Sequence, residues 1–169
     1  VCIATASTAQ CKHWLFPDGW QCVVDHLKAR GFEVAIVQKE SSDLHGVIDE
    51  TGDRLIGERI SRIAGCRLFI GLGSGLSWLA WALDKPVVLI SGFSLPHTEF
   101  NDLCERVINT DVCHGCWNDT GHAFDRDDWN WCPRHAGTDR AFECSAAITP
   151  EMVIEAIDRR LANQRRYRN

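Results

Sequence analysis

No run of apolar residues in the 169-residue sequence approaches the length that spans a bilayer, and the first residues lack the pattern of a secretory signal. Basic charge is also scarce. Eighteen Lys and Arg against 23 Asp and Glu leave a formal net charge of −5, which argues against a general nucleic-acid binder with a basic face. The sequence has no internal repeat and no low-complexity tract. These absences lead to the expectation of a cytoplasmic protein with neither membrane nor nucleic acid as a partner. A hydrophobic content of 45% with 24% charged residues fits one folded domain rather than a disordered chain. The opening "VCIATAS" lies inside an apparent strand and lacks Met, which suggests a piece of something longer. The closing basic "RRYRN" (165–169) reads as a solvated tail.

Cysteine, by contrast, is abundant, with nine residues. Cys2, Cys11, Cys22, Cys66 and Cys104 are scattered beside apolar or helical sequence and read as small buried hydrophobes in a reducing cytosol. Only the last four cluster.

Apolar, β-branched runs alternate with segments of helical periodicity. "VCIATAS", "FEVAIVQ", "RLFIGLG", "PVVLIS" and "RVINT" read as strands. "DGWQCVVDHLKARG" reads as a helix with Asp18 as N-cap and Gly31 as its stop. "RLIGERISRIAGC" reads as another, with Leu55, Ile56, Ile60 and Ile63 on one side. "LSWLAWALD" follows the "GSG" turn, and "ITPEMVIEAIDRRLANQ" closes the chain with Thr149 as N-cap and Pro150 at the first helical position. The expected fold is α/β: a Rossmann-like parallel sheet with helices on both faces. In such sheets ligands sit at the carboxyl ends of the strands, which points to "TASTAQCKHW", "QKESSD" and "GLGSGLS".

In "GLGSGLS", Gly73, Ser74 and Gly75 stand between a strand and a helix start, where N–H groups lack partners and the helix dipole favours an anion. Ser74 and Ser77 add hydroxyls. The P-loop GK[ST] is missing and the dinucleotide fingerprint is incomplete, so a structural Gly-rich turn is an equal alternative. "TASTAQCK" adds the hydroxyls of Thr5, Ser7 and Thr8 and the point charge of Lys12. Ordinary turn chemistry with an exposed lysine competes with that reading. Convergence of both stretches on one sheet edge favours a diphosphate ligand.

Cys113-x₂-Cys116, Cys132 and Cys144 offer four thiolates within the Cys/Trp-rich stretch 111–147. A CxxC turn grips one metal through two sulfurs, and four sulfurs leave no open coordination position, as in a structural site. The chemistry permits zinc or iron. A redox CxxC and paired disulfides are the alternatives. His114, His122 and His135 read as neighbours of the site rather than ligands. Trp117, Trp129 and Trp131 read as shields around the sulfurs, or else as an acceptor platform. Asp125, Asp127 and Asp128 read as a solvated turn, with a cation site as the sharper alternative.

"TASTAQCKHWLFPDGWQCVVDHLKARGFEV" resembles the start of the C-terminal half of bacterial heptosyltransferases, and "GLGSGLSWLAWALDKPVVLISG" is similar to their sugar-nucleotide turn. With "CHGC…C…C" the resemblance narrows to the autotransporter heptosyltransferase family. It implies the C-terminal, donor-binding half (1–169) of a GT-B glycosyltransferase, with 111–147 as a metal-binding insert. The implied reaction is inverting transfer of heptose from ADP-heptose to serine hydroxyls of autotransporter adhesins. The implied general base, an Asp, lies in an N-terminal half outside this chain. Thr5, Ser7, Thr8, Lys12, Ser74, Gly75, Leu76 and Ser77 are implied to line the donor diphosphate. The resemblance further implies that the metal is iron and that the enzyme is a homo-oligomer. Lipopolysaccharide heptosyltransferases usually carry Asp where this chain has Gly73, so a carboxylate contact to the donor is expected to be absent or replaced. A non-catalytic, metal-stapled Rossmann-like module that binds a nucleotide or a protein is the second reading, and a redox sensor the third.

Overall fold

Six short segments assemble into one parallel sheet in a computed structural model that describes residues 1–166. The tail positions 167–169 lie outside the described residues. The elements are β1 (Cys2–Ile3), α1 (Gly19–Ala29), β2 (Ala35–Ile36), β3 (Ile48–Asp49), α2 (Ile56–Gly65), β4 (Phe69–Leu72), α3 (Gly75–Ala82), β5 (Val87–Ile90), β6 (Cys104–Val107), α4 (Glu143–Ala146) and α5 (Pro150–Arg166). Strand order is β3-β2-β1-β4-β5-β6, the doubly wound order in which β1 and β4 flank the switch point.

Strand pleating explains the two layers. Ile3, Ile36, Ile70, Leu72, Val88 and Ile90 face a core shared with Val23, Val24 and Leu27 of α1 and Val153, Ala156 and Ile157 of α5. Their neighbours Cys2, Ala35, Val37, Phe69, Val87 and Leu89 face the other side, with Ile63 of α2 and Ala80 of α3. Adjacent strand residues point to opposite faces, so a strand buried on both sides must be apolar throughout. β4 and β5 are, and both are buried along their full lengths.

Several expectations need correction. β3, between β2 and α2, is a sixth strand beyond the five expected; its Ile48 and Asp49 are both exposed at the sheet edge. Leu55 and Ile56 are 75% and 65% exposed, whereas Arg59 is buried on α2 beside Ile63. Arg59 turns inward because its guanidinium donates to the carbonyls of Val37 and Gly52, joining the ends of β2 and β3. Of the five scattered cysteines, Cys2 and Cys11 are buried, but Cys22 is exposed. Thr149 does cap α5: its hydroxyl oxygen faces the Met152 N–H at 3.5 Å.

Asp18 precedes α1, but its side chain makes no capping bond and its backbone is left-handed, with φ of 55°. The Trp14 ring accounts for the tight start. Its Nε1 donates to the Ile148 carbonyl at 2.7 Å, and a Cβ on Gly19 would meet its Cζ2 at 2.8 Å. Gly19→Ala is therefore expected to cost about 1–3 kcal/mol of stability through overpacking, read as a lower urea midpoint with an unchanged slope.

Candidate functional site

At the switch point, the sequence leaving β1 forms a loop whose backbone is closed from two sides. Gln38, just past β2 and 2% exposed, accepts hydrogen bonds at Oε1 from the N–H groups of Thr5 and Ala6 and from Thr5 Oγ1. His13 Nε2 lies 3.2 Å from Ser7 N and 3.0 Å from Ser7 O, so one ring nitrogen clasps the loop in either tautomer. The Thr5 hydroxyl and amide are thus committed inside the protein. Ser7, Thr8 and Lys12 are the loop residues whose side chains remain for a ligand.

Lys12 ends a 3₁₀ turn, Gln10–Lys12, and its Nζ stands 6.0 Å from the Phe93 ring centroid. Phe93 follows β5, and β4 lies between β1 and β5. The ammonium therefore reaches from the β1 loop across the interval where β4 ends.

β4 ends in the Gly73–Ser74 turn. Ser74 is the N-cap of α3 in extended conformation, and Gly75 and Leu76 are the first two helical residues. Their N–H groups have no intrahelical acceptor and add the positive end of the dipole. Ser77 is different: it is fully buried, and its Oγ donates to the Leu72 carbonyl at 2.6 Å. That bond ties the helix start to the strand end, and the hydroxyl does not point outward. The two loops leave neighbouring strands about 4.8 Å apart. Between them they carry a point charge, hydroxyls and amides, the groups with which proteins hold anions.

A carboxylate from another element lies beside Gly73. Glu99, in the β5–β6 connection, places Oε1 2.8 Å from where a Cβ on Gly73 would stand. Ser94 Oγ donates to that oxygen at 2.9 Å, and Arg106 pairs with Oε2.

The cysteine-rich insert begins after β6 and returns before α5. Its ends are pinned together where Asn109 Nδ2 donates to the Ala147 carbonyl at 2.9 Å. Gly115 adopts φ of 71°, which folds Cys113–Cys116 into a tight turn. The Gly115 and Trp117 N–H groups donate to the carbonyls of Gly92 and Phe93, so the turn lies against the end of β5. A Cβ on Gly92 would stand 1.9 Å from the Cys144 carbonyl oxygen.

Burial raises the Cys116 thiol to about 11, helped by Cys113 and Cys132. Burial likewise raises Cys144 to about 12, helped by Cys116, Cys113 and Cys132. Cys116 thus feels two of the other insert sulfurs and Cys144 three, and a cation makes neighbouring thiolates tolerable together. Among the described residues the group whose ligand atoms all lie within 4.8 Å of one another is Cys113, His135 and Glu143, not the four cysteines expected from their spacing. Glu143 is already engaged: Arg140 donates to both its oxygens and the Cys113 N–H to one. The donor set suits a soft, tetrahedral metal such as iron or zinc.

Of the expected aromatic shields only Trp131 is buried; Trp117 and Trp129 are 41% and 48% exposed. Asp125 and Asp128 accept from the N–H groups two residues on, as turn-forming side chains do. Sequence reading missed a connection between the two regions. Ala9 and Cys11 pack with Phe93, Cys116 and Trp131 in one cluster. The Gln10 N–H donates to the Trp129 carbonyl, Trp129 stacks edgewise on His13, and Ser145 Oγ donates to the His13 carbonyl. The insert thus packs against the loop that follows β1. It also missed Gln38, His13 and Glu99, of which only His13 had a signal, the Lys-His-Trp run.

This doubly wound sheet, with a glycine turn at the switch point, is the half-fold of a GT-B glycosyltransferase. Residues 1–110 match the family model of glycosyltransferase family 9 (heptosyltransferase), and the chain belongs to that family. It is 48% identical over 168 residues to the autotransporter heptosyltransferase BAHTCr of Citrobacter rodentium, covering 94% of this chain and 41% of that protein. It is 40% identical to the inactive autotransporter heptosyltransferase BimC of Burkholderia thailandensis, covering 93% of this chain and 39% of that protein. Among solved structures, the dodecameric iron-containing heptosyltransferase TibC in complex with ADP-D-beta-D-heptose superposes with a TM-score of 0.90 at 44% identity, over 96% of this chain and 45% of that one. The chain spans about two fifths of the length of the curated relatives it matches.

Proposed function

We propose that this chain is the donor-binding half of a protein O-heptosyltransferase that moves heptose from ADP-heptose to serine hydroxyls of an autotransporter adhesin, with inversion. The observation that carries the reading is the cradle itself: the Lys12 loop and the Ser74 turn rise from adjacent strands at the switch point. Lys12, Ser7, Thr8, Ser74 and the N–H groups of Gly75 and Leu76 hold the diphosphate and stabilise the charge that develops on departing ADP. Gly73 leaves room at the turn, and Thr5 and Ser77 keep the two loops in shape. The general base that takes the serine proton belongs to a half outside this chain, so residues 1–169 alone bind donor without turnover. Similarity to TibC supports the donor, the iron and a homo-oligomer.

Cys113, Cys116, Cys132 and Cys144 hold the iron as a closed structural site, with His135 and Glu143 around it; zinc is the alternative. When bound, the metal cross-links the insert and neutralises thiolate charge, and no step of transfer passes through it. A cytoplasmic location suits reduced thiols and a nucleotide-sugar donor.

The test is incubation of the full-length enzyme with ADP-heptose and a purified adhesin passenger, followed by mass spectrometry of the passenger. Heptosylated serines are expected. Absence of transfer with donor binding retained would instead support the second reading, a metal-stapled nucleotide-binding module, which similarity to the inactive BimC favours.

A further inference from the structure

Glu99 lies at the carboxyl edge of the sheet, on the β5–β6 connection, with a side chain only 9% exposed. A carboxylate so buried needs partners, and it has them on one flank. Arg106, itself 10% exposed, pairs with Oε2 and also donates to the Ser94 carbonyl and hydroxyl oxygens, both at 2.8 Å. Ser94 is 1% exposed, and its hydroxyl lies 3.0 Å from that of Ser91, the residue just past β5. The Ser91–Ser94–Arg106 frame thus fixes one side of the carboxylate. The other side meets Gly73: Oε1 lies 2.8 Å from where a Cβ would stand, closer than a real Cβ tolerates. The frame leaves the oxygen little room to retreat, so the chain has no side chain at 73 and presents a carboxylate at that turn from a distant segment.

We propose that Glu99 is a sugar-recognition residue, which accepts a hydrogen bond at Oε1 from a hydroxyl of the donor sugar beside the Gly73–Ser74 turn. The assignment rests on the donor reading given above. The chemistry selects the sugar. Carboxylate and diphosphate oxygens are both acceptors, so Glu99 has nothing to offer the phosphates. Its negative charge is paired with Arg106, which limits its repulsion of the diphosphate held at the adjacent helix start. The groups next to a bound diphosphate that can donate to Glu99 are sugar hydroxyls. Each carboxylate oxygen accepts more than one bond, so Oε1 serves Ser94 and a ligand together.

ADP and ADP-heptose titrated calorimetrically into the full-length enzyme test this. Glu99→Gln removes the charge, Gly73→Ala displaces the carboxylate while keeping it, and Glu99→Gln/Arg106→Met removes the pair without stranding a buried cation. Glu99→Gln and the double variant are each expected to lose about tenfold or more in affinity for ADP-heptose, the scale of a charge-assisted hydrogen bond, with ADP affinity changed less than twofold. Gly73→Ala, which also alters the diphosphate turn, is expected to lose more affinity for ADP-heptose than for ADP. Equal weakening of both ligands, or no change in either, in variants whose melting temperature is maintained would overturn the assignment. Should Glu99→Gln fail to fold, Gly73→Ala and the double variant decide. A wild-type enzyme that binds neither ligand would instead overturn the donor reading, and this assignment with it.

Discussion

Lys12→Ala in the full-length enzyme is expected to lower kcat/KM for heptose transfer by about 10²–10³, with metal content and melting temperature unchanged. The reasoning is electrostatic. The ammonium makes no ion pair with a carboxylate among the described residues; its recorded neighbour is the Phe93 ring at 6.0 Å. An exposed contact of that kind contributes only about 0.5–1 kcal/mol, so deleting it leaves the fold intact. The same charge beside departing ADP is worth far more, because leaving-group charge appears only as the glycosidic bond breaks. Lys12→Arg is expected to recover part of the loss, since it keeps the charge but replaces a compact ammonium with a broad fork. Steady-state kinetics on the three proteins settle the matter; an unchanged rate in Lys12→Ala would remove Lys12 from the mechanism.

The second large effect is expected at a residue that touches no donor. Cys116→Ala should abolish metal binding, measured by metal analysis, and expose residues 111–147 to proteolysis. Metal binding in small thiolate modules contributes on the order of 10 kcal/mol toward folding the segment that holds it. Donor affinity should fall as well, by tenfold or more, although no insert cysteine lies in the cradle. The path is short. Cys116 packs against Phe93 and Trp131 with Ala9 and Cys11, so the 3₁₀ turn that aims Lys12 rests on the insert. His13, which clasps the Ser7 loop, is held by Trp129 and Ser145. A Cys116→Ala enzyme that lost its metal and bound ADP-heptose normally would refute this coupling.

How legible was this in the sequence? β4 and β5 were plain, because strands buried on both faces must be apolar at every position. β3 was not, because two exposed edge residues carry no apolar pattern. α2 was placed correctly but faced partly the wrong way: hydropathy ranks Leu55 and Ile56 above Arg59, while the structure needs the guanidinium to bridge the carbonyls of Val37 and Gly52. Both loops of the proposed cradle were legible as local motifs. The support behind them was not, because it depends on pairs far apart in the chain, such as His13 with Ser145 and Gly73 with Glu99. For the same reason the insert read as a separate clamp, whereas it stands against the loop it steadies.

The contact between Gly92 and the Cys144 carbonyl sets an order of events during biosynthesis. The final thiol of the quartet reaches its place only when its backbone lies on the bare Cα that follows β5, and that surface does not exist until the sheet has formed. Capture of the proposed metal is therefore expected to be a late step, after the sheet has assembled. A chain whose sheet has misregistered is expected to remain metal-free and open to proteases, so loading acts as an inspection that only correctly built molecules pass.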